Sequence, residues 1–472
     1  MRLCFNPDLV LRPDVDRAVV FVRDEIESGL NAFVQFLHPR HAVLLAMFNG
    51  DRAVEDGLRD WAYVGGLPGP EAAREELAGL VRSWGHLPLL LPREFLGGRA
   101  IPRYDPASFV VPANRVDLDT RRCKQPIDFL HVVTFRCVVD CVYCYSRPAG
   151  ATRELLPLER LAELLEEAGQ LGIKTVVLSG GDPLCHPRAA DLIELYVAHG
   201  ITPKVSTKVP LSDRGARRLR QAGLENIQVS IDAMDESFHD SLVSRPGHHR
   251  KLLASLDHIR DAGLRLRTNT VVTSRNYPDA LRLIPYLAER YENLVKIELS
   301  PYGRSLYRHD DGLFLSSEQQ IDLREHVARY QARYPQIRIH ASEGGGTTDR
   351  RPHDRKLEDH RNRAVCSGGR WGFTLLPDGQ VTVCEELYYH PAFLVGDLRR
   401  QSIMEMWTSR ELHSLLCPEQ SQALGPCSTC PIFAECHYGR GRCYKRALQG
   451  YGIDHPDWPD PKCPYAPEPR RF

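Results

Sequence analysis

The sequence predicts an α/β fold: a parallel sheet of about six βα units that curves toward a barrel. Three observations predict it. Between about residues 128 and 300, short β-branched apolar stretches alternate with amphipathic helical ones. These stretches are short, β-branched and apolar, as strands buried on both faces should be. Polar and glycine residues gather at their C-terminal ends, where parallel α/β folds carry their chemistry.

The elements follow in order. DFLHVVT (128–134), KTVVL (174–178), PKVST (203–207), NIQVSI (226–231), RLRTNTVV (265–272) and VKIEL (295–299) are the expected strands. In LERLAELLEEAGQL, Leu158, Leu161, Leu165 and Ala168 form one helical stripe, and Gly172 follows as a helix stop. Ahead of these units, NPDLVLRP and AVVFV read as a hairpin and NAFVQFL as a third strand. HAVLLAMFNG, RAVEDGLRDWAYVG and PEAAREELAGLVRSWG read as three short helices. Strands plus three helices suggest a winged-helix module. Residues 306–364 are polar and mixed in sign, and read as an irregular linker.

The 472 residues exceed one ordinary core, so two or three domains are expected. Lys+Arg and Asp+Glu both number 61, so no global field favours nucleic acid or an anionic membrane. The N-terminal stretch has no signal-peptide character and no segment is a membrane span, so a cytoplasmic protein is expected. In a reducing compartment, clustered thiols serve metal or redox chemistry more often than disulfides. The 14 cysteines are clustered. Cys137, Cys141 and Cys144 form one group, and Cys366, Cys384, Cys427, Cys430, Cys436, Cys443 and Cys463 crowd the last quarter.

CVVDCVYC places three thiols in the loop after the first expected barrel strand. Three thiolates around a cubic iron–sulfur cluster leave one iron open for a small molecule. A tetrahedral zinc site would want a fourth ligand close by. C-x3-C-x2-C with Tyr143 before the last cysteine, followed by a second strand ending in SGGDP, resembles the radical S-adenosylmethionine (SAM) superfamily. That resemblance implies a [4Fe–4S] cluster on Cys137, Cys141 and Cys144 whose open iron holds SAM. It also implies SAM contacts from Gly180, Gly181, Asp182 and Pro183, with the Asp182 edge meeting the methionine ammonium. Ser230 and Asp232 in VSIDA would lie near the ribose and carboxylate, Arg245 would pair with the carboxylate, and Tyr143 would pack near the adenine.

The tail runs Cys366, twelve residues, Gly379, four residues, Cys384, then C-x2-C-x5-C at Cys427, Cys430 and Cys436, then Cys443 and Cys463. This resembles the SPASM extension of radical SAM enzymes. It implies two auxiliary [4Fe–4S] clusters. Cys427, Cys430, Cys436 and Cys463 would hold one, and Cys366, Cys384 and Cys443 the other, whose fourth position is open or non-cysteine, with Cys417 as the alternative ligand. The family's C-x3-C step is C-x6-C here, at Cys436 to Cys443.

HPRHAVLLAMFNGDRAVEDGLRDWA resembles the leader-binding winged-helix element of ribosomal peptide pathways, the RiPP recognition element. The expected domains are therefore 1–105 (leader-binding winged helix), 125–305 (radical SAM partial barrel), 306–364 (linker) and 365–472 (SPASM). The resemblance implies an oxidoreductase with three [4Fe–4S] clusters and SAM that cross-links a precursor peptide through a thioether or carbon–carbon bond. An electron donor such as a flavodoxin or ferredoxin would serve it, with neither nucleic acid nor membrane as partner. A maturase of a sulfatase or quinoprotein subunit, and a non-enzymatic iron–sulfur protein, are the alternative readings.

Overall fold

The structure is a computed structural model that describes residues 1–23, 33–85, 87–146, 154–308, 310–342, 353–363, 365–388 and 390–469. The chain divides into two compact units, Met1–Gln125 and Pro126–Phe472.

In the first unit β1 (Leu3–Phe5) leads to β2 (Leu9–Pro13), β3 (Ala18–Val22) and β4 (Val34–Leu37). The last three form an antiparallel sheet in the order β2-β3-β4. Helices α1 (Pro39–Ala46), α2 (Val54–Val64) and α3 (Pro70–Ser83) follow, and β5 (Leu90–Pro92) returns to pair with β1. Pro39 and Pro70 open their helices at positions where a missing N–H costs nothing. Leu11, Val20, Leu44, Leu58, Trp61 and Leu77 share one core. The expected third strand is shorter than NAFVQFL, and its residues 31 and 32 lie outside the described residues. The unit also runs past residue 105. Arg17 donates to Asp117 O at 3.1 Å, and the Asp14 carboxylate accepts from Lys124 N at 2.9 Å, so residues 106–125 are tied into it.

The second unit opens with β6 (Asp128–Thr134), α4 (Leu158–Gln170), β7 (Thr175–Gly180), α5 (Ala189–Ala198), β8 (Thr202–Thr207), α6 (Asp213–Gln221) and β9 (Asn226–Ser230). It continues with α7 (Glu236–Leu242), α8 (His248–Asp261), β10 (Arg265–Val272), α9 (Tyr277–Arg290) and β11 (Leu294–Pro301). All six expected strands are present, side by side and parallel, in sequence order. This is the partial (β/α)6 barrel. The α4 stripe packs as expected: Leu161, Leu165 and Ala168 are buried, and Gly172 has φ +75°.

The stretch expected to be irregular carries two elements instead. α10 (Ser317–Arg333) starts at a capping box between Ser316 and Gln319, and β12 (Arg338–Ala341) adds a seventh parallel strand beside β11. Among its residues α10 buries Leu323 alone, so it shows little apolar stripe, and four residues are too few for a strand pattern. Residues 343–352 lie outside the described residues.

α11 (His353–Asn362), β13 (Gly372–Leu375), β14 (Gln380–Thr382) and β15 (Leu394–Asp397) come next, then α12 (Ile403–Trp407), α13 (Arg410–Leu416) and α14 (Tyr444–Tyr451). β13 pairs parallel with β6, and β14 and β15 extend the sheet antiparallel to ten strands. The cysteine-rich tail is thus continuous with the barrel sheet. Gly372 makes the join close, because a Cβ there would lie 2.1 Å from Asp128 Oδ1. Among the described residues no helix is long and apolar enough to cross a membrane.

Candidate functional site

The three-cysteine loop leaves β6 at Thr134 and is braced from three sides. Asp140 N and Val142 N donate to the carbonyls of Val243 and Leu242 at the end of α7, at 3.1 and 2.8 Å. Arg308 Nη1 reaches Asp140 Oδ1 at 2.8 Å and Cys141 O at 2.7 Å. Arg245, expected at a SAM carboxylate, donates to Val138 O inside the loop.

On the fourth side β7 packs against the loop, backbone to backbone. Gly181 N donates to Thr134 O at 2.9 Å, and Asp182 N to Arg136 O at 2.8 Å. Gly180 has φ +138°, and a Cβ there would sit 2.1 Å from Thr134 O. A Cβ on Gly181 would sit 2.3 Å from Arg136 O. Both obstacles are backbone, so the glycines are what lets the strand end meet the cysteine loop. Gly181→Ala is expected to cost about 1–3 kcal/mol through overpacking. It should also weaken SAM binding, and urea unfolding and equilibrium dialysis measure the two effects.

Asp182 was expected to face SAM with its strand edge. Its carboxylate instead accepts from Thr207 Oγ1 at 2.8 Å, Lys208 N at 2.6 Å and Leu184 N at 3.0 Å. The last bond caps the turn that Pro183 opens. Burial pushes this carboxyl upward despite those donors. What the strand edge leaves for a ligand is backbone.

The remaining expected residues converge on Lys208, at the end of β8. Its Nζ lies 3.0 Å from Asp232 Oδ2 and 3.3 Å from Ser230 O, and 5.7 Å from the centre of the Tyr143 ring. Tyr143 donates its hydroxyl to the same Asp232 oxygen, and Val271 N donates to the other at 3.2 Å. Asp232 is fully buried. Burial pushes its carboxyl up, but the Lys208 charge, His239 and the Tyr143 hydroxyl together hold it below the usual carboxylate range. For Lys208 burial pulls downward, and Asp232, Cys141 and Asp182 together carry it upward. The two directions describe one ion pair.

A ring of hydrogen bonds closes behind this pair. Asp232 N donates to His239 Nδ1 at 3.2 Å, His239 Nε2 lies 3.0 Å from His248 Nδ1, and His248 Nε2 lies 2.9 Å from Lys208 O. The backbone N–H at one end and the carbonyl at the other fix both tautomers: each histidine accepts at Nδ1 and donates from Nε2. Lys208, His239 and His248 were not among the expected site residues. Lys208 stands next to Thr207 at a strand end, which is the signal that marks it.

Burial pushes the Cys141 thiol up to about 12. Such a thiol stays protonated unless a metal takes the thiolate, so this donor set suits a cluster. In the tail Cys427, Cys430, Cys436 and Cys463 line a single cavity. Burial drives the Cys427 and Cys463 thiols to about 11 and about 12. Cys384 and Cys443 are raised in the same way, to about 12 and about 11. Between Cys436 and Cys443 the three extra residues are taken up by a π-helical turn, Glu435–Arg440, and by Gly441 at φ +72°. A Cβ on Gly441 would lie 2.8 Å from Arg370 Nε. Glu385, beside Cys384, was also not expected. It accepts from Tyr145 and Ser179, each at 2.9 Å, which links it to the residues next to Cys144 and Gly180. Among the described residues no His, Cys, Asp or Glu group of three converges on one point for a single metal ion.

Residues 131–283 match the radical SAM superfamily, and residues 366–431 match the iron–sulfur cluster-binding SPASM domain. The chain carries a radical SAM domain and a SPASM domain. A radical SAM domain binds a [4Fe–4S] cluster and SAM, and a SPASM domain binds further iron–sulfur clusters. The chain is 29% identical over 208 residues to a GTP 3′,8-cyclase of Marinobacter nauticus, covering 43% of this chain and 62% of that one. It is 26% identical over 351 residues to a PqqA peptide cyclase of Streptomyces rochei, covering 72% and 90%. Among solved structures it resembles SuiB of Streptococcus suis, with a TM-score of 0.64 at 13% identity over 98% of this chain and 99% of that one. That likeness is one of fold.

Proposed function

We propose that this radical SAM–SPASM protein is a peptide maturase that forms a thioether or carbon–carbon cross-link in a ribosomally made precursor peptide. The observation that carries this reading is the combination in one chain. A four-sided brace holds three cysteines at the mouth of a parallel barrel, a second set of cysteines is built into the same sheet, and a separate N-terminal unit has an open strand. Similarity to a peptide cyclase over 72% of the chain supports it, as does a fold shared with SuiB, which has been seen with SAM and with its precursor peptide SuiA.

Cys137, Cys141 and Cys144 would hold the SAM-binding cluster, which when bound supplies with SAM a 5′-deoxyadenosyl radical that takes a hydrogen atom from a substrate carbon. Gly180 and Gly181 would offer backbone carbonyls to the methionine ammonium of SAM. Lys208 and Asp232 hold the Tyr143 ring in place beside Cys144, and Ser230 stands at the adjoining strand end. Cys427, Cys430, Cys436 and Cys463 would hold one auxiliary cluster, and Cys366, Cys384 and Cys443 three corners of another. Clusters held by these cysteines would supply an acceptor for the surplus electron of bond formation while a proton leaves. In the first unit β4 has a strand neighbour on one side among the described residues, and its Gln35 is exposed. An extended leader segment would add there by backbone pairing. A small reductant protein such as a flavodoxin or ferredoxin would supply the starting electron.

Anaerobic reconstitution with iron and sulfide, then SAM and dithionite, should yield 5′-deoxyadenosine. The Cys137→Ala, Cys141→Ala, Cys144→Ala protein should yield none while keeping its auxiliary iron. Absence of 5′-deoxyadenosine from the wild-type protein would end the proposal.

A further inference from the structure

The cavity lined by Cys427, Cys430, Cys436 and Cys463 contains more polar groups than a cluster with four thiolates needs as ligands. His360, on α11, also lines it. The His360 side chain is 5% exposed, and its Nε2 has no hydrogen-bond partner. Arg442, on the same cavity wall, is 8% exposed with its Nε unpaired, while its Nη1 is anchored on Trp458 O at 2.6 Å. A third donor is already aimed at sulfur: Arg363 Nη2 lies 3.4 Å from Cys436 Sγ. Asp460 is the acidic group on this wall, and its carboxylate is occupied by Lys462 N at 2.9 Å and Arg446 Nη1 at 3.5 Å.

A buried polar nitrogen left unpaired is costly, and two of them on residues that line one cavity, His360 Nε2 and Arg442 Nε, point to a partner inside it. Four thiolates fill the four iron positions, so the acceptors left for these N–H groups are sulfur atoms. A thiolate-bound cluster is anionic and becomes more so on reduction. Hydrogen bonds to its sulfur and nearby cations therefore favour the reduced level. We infer that His360 and Arg442, together with Arg363, form a donor cage around the cluster held by those four cysteines and raise its reduction potential. This rests on the reading of the four cysteines as ligands of one cluster.

The test is an EPR-monitored redox titration of the reconstituted full-length protein. The signal in question is the one missing from a Cys427→Ser, Cys430→Ser protein. His360→Phe and Arg442→Met should each move that one-electron equilibrium at least tenfold toward the oxidised level, a fall of about 59 mV, with iron content unchanged. His360→Gln, whose amide N–H replaces the ring donor, should keep most of the wild-type potential. Unchanged potentials in His360→Phe and Arg442→Met at full iron content overturn the cage. So does a His360→Gln protein that falls as far as His360→Phe, or a nitrogen bound directly to iron in pulsed EPR. If His360→Phe loses the cluster, Arg442→Met set against Arg442→Lys decides by the same criterion. Wild-type protein with no signal dependent on Cys427 overturns the ligand reading as well, and that failure is visible before any cage variant is made.

Discussion

Lys208→Met is expected to destabilise the barrel unit by about 3–5 kcal/mol, the cost of leaving a buried charge without its partner. Asp232 is fully buried, and its ammonium partner sits 3.0 Å away with 11% of its side chain exposed. After the substitution the carboxylate keeps the Tyr143 hydroxyl and Val271 N–H, but no cation. It must then either remain charged in a dry site or take up a proton. Lys208→Met with Asp232→Asn should recover much of the loss, because no charge is then stranded. Hydrogen exchange of the β9 and β10 amides reads the effect where it arises. Equal losses in the single and double variants would show that the packing of the lysine stem, not its charge, holds these strand ends together. Added salt should change little, since so buried a pair is weakly screened.

The pair also shows what the sequence makes legible. All six barrel strands are readable because each is a short run rich in apolar and β-branched residues, and because glycine and polar residues cluster at the ends, although β8 and β9 alternate buried and less buried residues. The three-cysteine loop is readable because thiols that close together have few other uses. The partners of those residues are a different matter. Asp182 and Arg245 both lie at the mouth, and their side chains bond to Thr207 and to Val138 O. Spacing along a chain fixes which strand end a residue occupies, not which of several nearby donors wins it. Lys208 follows β8, His239 lies in α7 and His248 opens α8, and they meet only after the sheet is assembled. The seventh strand was missed for another reason. β12 has four residues and depends on a long, mostly exposed helix to bring it to the β11 edge, so neither element carries a strong period of its own.

Acid should unfold this protein well before its carboxylates are titrated. His131 in β6, 2.8 Å from the Tyr196 hydroxyl, and His239 in the ring behind Asp232 are both pushed down to about 3 by burial. In the unfolded chain each returns to the ordinary histidine value of about 6.5. Between those two values the unfolded state binds protons that the folded state refuses, so stability falls as pH falls. Above about pH 7 neither state is protonated and the contribution is constant. Each histidine contributes about 1.4 kcal/mol per pH unit across the window, or about 2.7 kcal/mol per unit for the pair. Asp182 acts with the opposite sign, since its raised carboxyl lets the folded state accept a proton first. Urea midpoints should therefore be level from pH 8 to 7 and drop steeply from about 6 to about 4.5. His239→Gln should remove about 1.4 kcal/mol per pH unit from that slope, since an amide can accept from Asp232 N without titrating. A level profile down to pH 4.5 would mean that these rings meet water in the folded state. Protonation at His239 Nδ1 places a hydrogen against the Asp232 N–H. Acid therefore breaks first the hydrogen bond that fixes Asp232, and through Asp232 it loosens Tyr143 beside the cysteine loop.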